Sequence, residues 1–130
     1  MHEIELRVRY VECDMQGHVF NGHYLTWFDM AHTEALRATV GDYADVVARG
    51  IELVVAEATV RYRAPARFDD VLTVAVAFEP LGTTSLTSEF TVTRGEDLVA
   101  EGRMRHVCVD ATTFAKTPWP QWWKDALSTG

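Results

Sequence analysis

The chain has 130 residues, of which 48% are hydrophobic and 24% are charged. This length and composition suit a single globular domain over residues 1–130 with its own hydrophobic core, and they exclude a disordered or fibrous protein. Nineteen acidic residues against twelve basic ones give a net charge of −7, which opposes binding to nucleic acid or to an anionic membrane surface.

The N-terminal segment and the cysteines indicate where the protein works. Met1–Leu6 contains neither the basic nor the apolar region of a signal peptide, and no apolar run reaches the roughly 18 residues of a membrane span. Cys13 and Cys108 are too few for a disulfide framework and lack the spacing of metal ligands. We therefore expect a cytoplasmic protein with reduced thiols, no membrane span and no metal ion.

Alternation of apolar and polar residues from Ile4 to Asp14 predicts a half-buried strand. Leu6, Val8 and Tyr10 would share its buried face, and the charged residues between them would face solvent. The same parity places the Asp14 carboxylate beside Tyr10 on the buried side, which is an unusual position for an acid.

Two helices are predicted after a tight turn at Gly17. The segment from His23 to Thr39 is apolar on most of its circumference, so we predict one long helix that is buried nearly all round. Asp42–Arg49 predicts a short second helix with Asp42 as its N-cap.

The rest of the chain has mostly the composition of β-strands. The predicted strands are Ile51–Arg63, Val71–Glu79, Ser85–Thr93 and Leu98–Val109, and the tail Pro118–Leu127 predicts one or two amphipathic helical turns. Five strands and one buried helix must share a core, so we predict an α+β fold in which an antiparallel sheet wraps around the central helix. Open edges of such a sheet favour pairing with a second copy of the chain.

The segment from Tyr10 to Tyr24, YVECDMQGHVFNGHY, carries the features of an acyl-transfer site. Free N–H groups at a helix N-terminus can polarise a carbonyl group and stabilise the oxyanion that develops on it. The Asp14 carboxylate could attack that carbonyl carbon or activate a water molecule. However, an acid at a strand end before a glycine turn, as Asp14 is, more often serves as a turn residue or a helix cap.

This segment resembles the signature of the 4-hydroxybenzoyl-CoA thioesterase group of hotdog proteins, in particular its YbgC-like branch. Three further motifs recur in the same order: Tyr62-x-x-Pro65-Ala66-Arg67-x-Asp69-Asp70, Gly82-Thr83-Thr84-Ser85-Leu86 and Cys108-Val109-Asp110. The resemblance covers nearly the whole chain. It implies the hotdog fold and a thioesterase that hydrolyses an acyl-CoA or acyl-carrier-protein thioester.

The resemblance also implies roles for three residues at the reacting centre. Asp14 would be the catalytic carboxylate, Tyr10 a supporting hydroxyl, and the backbone N–H of Asn21 would point at the thioester oxygen. The YbgC-like branch usually has histidine in place of Asn21. Because asparagine does not titrate near neutral pH, it can orient a water molecule or a carbonyl group but cannot act as an acid or base.

Four further residues are expected to bind the substrate. The resemblance implies that Gly22 lets the chain approach the thioester closely, and His18 and Tyr24 lie in the same motif. Arg67 follows the Pro65 turn, and its guanidinium suits a phosphate group of coenzyme A. Coenzyme A would be part of the substrate, so no separate cofactor is expected.

The sequence is also compatible with several alternatives. Some hotdog thioesterases use an acid on the helix, which makes Asp29 and Glu34 rivals of Asp14, whereas strand alternation directs Cys13 away from the site. The chain could instead be a hotdog dehydratase, or a non-catalytic module that binds acyl-CoA or acyl carrier protein. A homodimer or homotetramer is expected, with each site formed where two protomers meet.

Overall fold

In a computed structural model, which describes residues 1–129, one five-stranded antiparallel sheet packs against a long helix. The strands are β1 His2–Arg7, β2 Ile51–Tyr62, β3 Val71–Phe78, β4 Ser85–Arg94 and β5 Asp97–Asp110. The helices are α1 His23–Thr39, α2 Tyr43–Ala48 and α3 Gln121–Thr129, and a single 3-10 turn covers Tyr10–Glu12. The strand order is β1-β3-β4-β5-β2, with every neighbouring pair antiparallel. The predicted α+β architecture is confirmed.

Alternate residues of the central strands form the face that packs on α1. Leu72, Val74 and Val76 of β3 are fully buried on this face, as strand periodicity requires. The prediction that α1 is buried nearly all round is wrong for the isolated chain, because the sheet covers only one side of it. Leu25 and Met30 on the other side of α1 are exposed.

The first strand ends earlier than the alternation predicts. β1 stops at Arg7, and the chain then enters the 3-10 turn because the Glu12 carboxylate accepts a 2.8 Å hydrogen bond from the Arg9 backbone N–H. The regular strand therefore ends seven residues before Asp14. Tyr10 is consequently 80% exposed and does not share a buried strand face with Asp14.

Gly102 of β5 leaves room for the core on the helix side of the sheet. A Cβ atom at Gly102 would lie 2.4 Å from Cε2 of Phe28 and 2.4 Å from the backbone oxygen of Thr59. The Phe28 ring is itself held by stacking on Phe90, with ring centroids 4.5 Å apart. Backbone on the neighbouring strand cannot move aside as a side chain can.

We therefore expect Gly102→Ala to lower the free energy of unfolding by about 1–3 kcal/mol through overpacking. Chemical denaturation of the two proteins measures the difference. An equally stable variant would mean that β2 and β5 are not packed this closely.

Candidate active site

A cleft of about 400 Å³ lies where the Asp14 loop, the start of α1 and the end of β2 meet. Its walls include Asp14, His18, Asn21, Tyr24, Tyr62 and Arg63. Four of the residues selected from the sequence therefore share one cleft, and β2 supplies a further wall.

The Asp14 loop is held by its own hydrogen bonds. Asp14 Oδ1 accepts a 2.8 Å hydrogen bond from the Gln16 N–H, and Gly17 donates its N–H to the Asp14 carbonyl oxygen at 3.0 Å. Gly17 has a φ of 83°, a left-handed conformation that favours glycine. Within residues 1–129 no group donates to Asp14 Oδ2, so one carboxylate oxygen of this half-buried residue is available to a ligand in the cleft.

The start of α1 presents free donors beside this carboxylate. His23 donates its N–H to the Phe20 carbonyl oxygen, whereas the N–H groups of Asn21 and Gly22 have no acceptor among the residues that the structure describes. These groups lie at the positive end of the dipole of a 17-residue helix. The arrangement suits the stabilisation of an oxyanion.

Gly22 itself does not line the cleft. Its φ of −67° is open to any residue, but a Cβ atom there would lie 3.1 Å from the ring of Phe20. The structure therefore explains this glycine by its packing against Phe20. Its predicted close approach to a substrate stays a prediction.

Tyr62, at the end of β2, connects the sheet to the start of the helix. Its hydroxyl donates a 3.0 Å hydrogen bond to the Asn21 carbonyl oxygen, and its ring packs edge-on against Tyr24 with centroids 5.3 Å apart. Burial, with a smaller contribution from Tyr62, raises the pKa of Tyr24 to about 12, so its hydroxyl stays protonated. Tyr62 was not selected from the sequence as a site residue, although the motif that it opens carries the signal.

Glu12 is a second residue that sequence reasoning missed. Its carboxylate is 6% exposed and accepts hydrogen bonds from the Arg9 backbone at 2.8 Å and from Nε1 of Trp27 at 3.2 Å. Burial alone would raise its pKa, but hydrogen bonds from Arg9 and Trp27 outweigh burial and hold the pKa below the ordinary value. The Glu12 carbonyl oxygen also accepts the Phe20 N–H. Glu12 thus connects the loop that carries Asp14 to α1.

Other predicted residues lie outside the cleft. Tyr10 packs edge-on against Phe68 with ring centroids 6.1 Å apart and is not among the cleft-lining residues, so the strand argument that placed it beside Asp14 was wrong. Arg67 is exposed, but its backbone forms a bridge with His18 at the edge of the cleft. Its proposed contact with a phosphate stays a prediction.

The other candidate catalytic residues also lie outside the cleft. Glu34 is exposed and forms an ion pair with Arg37 at 3.5 Å. Cys13 is half-buried and does not line the cleft. Asp29 lines a different cavity of about 200 Å³, between α1, α2 and the edge of the sheet.

Two buried histidines, His32 and His106, line that second cavity together with Asp29. Their imidazole rings stack with centroids 4.1 Å apart and planes 9° from parallel. Burial, reinforced by His106, lowers the pKa of His32 to about 3. Burial also lowers the pKa of His106, although Asp29 partly opposes this. Both imidazoles are therefore neutral at pH 7.

These histidines predict a loss of stability in mild acid. The unfolded chain binds protons below about pH 6.5, while the buried His32 imidazole does not, so stability is retained above that pH and lost as pH falls toward 3. In this pH window we expect His32 to lower the free energy of unfolding by about 1 kcal/mol for each unit that the pH falls. Urea denaturation between pH 5 and 7 should show a flatter pH dependence for His32→Gln. Parallel curves for the two proteins would contradict the burial of a neutral imidazole.

Neither a metal site nor a membrane span emerges from the described part of the chain. Residues 1–129 contain no group of three His, Cys, Asp or Glu side chains placed to hold a metal ion. No helix there is both long enough and apolar enough to cross a bilayer.

Known proteins resemble this chain over most of its length. Residues 8–127 match the family model of the thioesterase-like superfamily. A putative esterase of Aquifex aeolicus is 31% identical over 86% of this chain and 88% of the relative. The acyl-CoA thioester hydrolase YbgC of Escherichia coli is 33% identical over 81% of this chain and 79% of the relative. The crystal structure of a hypothetical protein from Thermus thermophilus has a TM-score of 0.91 at 32% identity, and covers 99% of this chain and 98% of that one.

Proposed function

Because this chain belongs to the thioesterase-like superfamily, we propose that it hydrolyses an acyl-CoA or acyl-carrier-protein thioester in the cleft that contains Asp14. One observation carries the proposal. The unpartnered Oδ2 of Asp14 and the unpartnered N–H of Asn21 belong to two residues that line the same cleft. A nucleophile or base next to oxyanion donors is the arrangement that acyl transfer needs.

In the proposed reaction the thioester oxygen accepts a hydrogen bond from the N–H group of Asn21 at the start of α1. Asp14 then acts in one of two ways. As a general base it takes a proton from water, the water oxygen attacks the carbonyl carbon, and the C–S bond breaks to release the thiol and the free acid. As a nucleophile it forms a mixed anhydride with release of the thiol, and water then hydrolyses the anhydride. The Asn21 side chain can orient water in either route.

The enzyme is proposed to act as a homodimer or homotetramer, because β2 is an edge strand with exposed apolar side chains. Three apolar residues of β2 pair with inward-facing residues of β5 and so lie on the inner face of the sheet: Val55, Ala58 and Tyr62. Val55 is nevertheless 51% exposed. A bulge between Val55 and Glu57 keeps these apolar residues on the inner face. β1, the other edge strand, is only six residues long and presents exposed Glu3 and Glu5, which discourage pairing.

Antiparallel pairing of β2 with its symmetry copy would cover this apolar surface. It would also bring the cleft at the Tyr62 end of one strand next to the Leu53–Val55 end of the other. Each site would then lie where two protomers meet.

We expect Ala58→Lys to disrupt this dimer and with it the activity. Ala58 is exposed in the protomer, so the lysine need not disturb the fold, but pairing would bury its charge. Light scattering measures the mass, and thiol release measures the activity. Thr59→Lys is the matched control, because Thr59 is also exposed and pairs with the outward-facing Arg103. An active, dimeric Ala58→Lys variant would exclude pairing through β2.

The protein is also proposed to act in the cytoplasm. Cys13 and Cys108 are both free thiols, one half-buried and one buried, which suits a reducing compartment.

The activity itself is tested by following thiol release from short-chain, long-chain and aromatic acyl-CoAs and from an acyl carrier protein. Hydrolysis of any of these thioesters supports the proposal, and the profile narrows the substrate. Tight binding without thiol release would instead indicate a non-catalytic binding module. Hydration or dehydration of β-hydroxyacyl substrates would indicate the dehydratase alternative.

A further inference from the structure

The first turn of α1 lacks the side chains that usually hold the start of a helix. Gly22 occupies the N-cap position and has no side chain that could accept a hydrogen bond from the backbone. Within the described part of the chain, the first turn also contains no acidic residue. The backbone that presents the Asn21 N–H therefore depends on other groups for its orientation.

Two peptide groups flank Asn21, and both are held by hydrogen bonds to their carbonyl oxygens. The preceding carbonyl, that of Phe20, accepts the His23 N–H at 3.1 Å. The following carbonyl, that of Asn21 itself, accepts the Tyr24 N–H at 3.4 Å, which is longer than an ordinary N–H···O bond. The hydroxyl of Tyr62 donates to the same oxygen at 3.0 Å. The shorter of these two bonds thus comes from the sheet and not from the helix.

Tyr62 is itself held in place by the strand and by the core. It is the last residue of β2 and pairs with Ala100 of β5. The N–H of the next residue, Arg63, donates to the Val99 carbonyl oxygen at 2.9 Å, so the backbone stays bonded to β5. The Tyr62 ring packs edge-on against the ring of Tyr24, which is 3% exposed. Its hydroxyl can therefore hold the Asn21 carbonyl group in one orientation.

We propose that Tyr62 is a positioning residue of the thioesterase, whose hydroxyl orients the backbone at Asn21 so that the Asn21 N–H meets the developing oxyanion. Tyr62 acts through Asn21, because its hydroxyl proton is already donated to the Asn21 carbonyl oxygen. A preorganised donor acts mainly on the transition state, where the charge develops, so its loss lowers kcat more than it raises KM. This inference rests on the proposed thioesterase function.

The variant Tyr62→Phe tests this role, because it removes the hydroxyl and keeps the ring that packs against Tyr24. The assay is thiol release from whichever of hexanoyl-CoA, palmitoyl-CoA and benzoyl-CoA the native protein hydrolyses fastest. We expect kcat to fall about tenfold and KM to change less than about twofold. An unchanged kcat would overturn the inference. A native protein that hydrolyses no acyl thioester would instead overturn the proposed function.

Tyr43→Phe is the matched control. The Tyr43 hydroxyl also bonds to the backbone of a strand, since it accepts the Leu53 N–H at 3.1 Å, and Tyr43 does not line the cleft. The control therefore makes the same chemical change at a second contact between a helix and β2, and it should retain the native kcat. An equal fall of kcat in both variants would overturn a specific role of Tyr62.

The pH profile distinguishes positioning from proton transfer. A positioning residue leaves the ionising groups of the reaction unchanged, so kcat of Tyr62→Phe should be lower by the same factor at every pH at which both proteins are folded. Loss of one limb of the profile would mean that the hydroxyl transfers a proton, which would overturn the positioning role. Light scattering should give the native mass. A changed mass together with lost activity would assign Tyr62 to a subunit contact and overturn the inference.

NMR spectroscopy detects the contact independently of any activity. Loss of the hydrogen bond in Tyr62→Phe should shift the carbonyl-carbon resonance of Asn21 and the amide resonances of Asn21 and Gly22. The same resonances should stay at their native positions in Tyr43→Phe. Native positions in Tyr62→Phe as well would show that the hydroxyl does not hold this backbone, and would overturn the inference even if kcat falls.

Discussion

The Asp14→Asn variant is expected to hydrolyse its best acyl thioester at least about a hundredfold more slowly than the native protein, with its fold intact. Asparagine fits the same turn and can accept the Gln16 N–H that Asp14 Oδ1 accepts at 2.8 Å. It cannot take a proton from water or form an anhydride. The loss should therefore appear in kcat, and the free energy of unfolding should change little.

The matched control is Asp45→Asn, which makes the same chemical change at an exposed position on α2. The control should retain native activity. Equal activity of Asp14→Asn and the native protein would make Asp14 a turn residue. The rival acids on α1, tested as Asp29→Asn and Glu34→Gln, would then become the candidates.

Glu12→Gln is expected to lower the free energy of unfolding by about 2–3 kcal/mol. The native carboxylate accepts hydrogen bonds from the Arg9 backbone and from Nε1 of Trp27, which both donate. A glutamine side chain has only one accepting oxygen, so its NH₂ group would face a donor. Chemical denaturation at pH 7 measures this loss.

Glu12→Gln should also lower kcat by about tenfold with a smaller change in KM, because Glu12 positions the Asp14 loop against α1 without touching the substrate. Trp27→Phe removes one of the hydrogen bonds to Glu12 and is the matched comparison, with an expected loss of about 1 kcal/mol. A Glu12→Gln variant as stable as the native protein would show that this buried carboxylate does not hold the two segments together.

Long periodic segments made much of the fold predictable. The helix His23–Thr39 was predicted with the bounds that the structure has, and the strand predicted as Ile51–Arg63 is β2, Ile51–Tyr62. The family resemblance is likewise confirmed by the match over residues 8–127. Burial on one face imposes these patterns, so the sequence alone reveals them.

Errors arose where local hydrogen bonds override periodicity. Residues Ile4 to Asp14 alternate as a strand does, but the Glu12 carboxylate binds the Arg9 N–H and closes a 3-10 turn. Tyr10 therefore faces solvent and does not share a strand face with Asp14. A bond between side chain and backbone leaves no trace in a pattern of hydrophobicity.

The site was predictable only where its residues are close in sequence or belong to a motif. Asp14, His18, Asn21 and Tyr24 lie within one loop and the first turn of α1, and they share the cleft as expected. The pairing of His32 with His106 depends on strand register and on the packing of α1, which connect residues far apart in the chain. Sequence spacing therefore could not predict that these two imidazoles stack on each other.

The most direct test of the proposed mechanism is a crystal structure of Asp14→Asn with a ketone analogue of acyl-CoA, in which a methylene group replaces the thioester sulfur. We expect the ketone oxygen to accept a hydrogen bond from the N–H group of Asn21, with the side chain of residue 14 facing the carbonyl carbon. A ketone bound away from the start of α1, with residue 14 out of reach, would contradict the proposed mechanism.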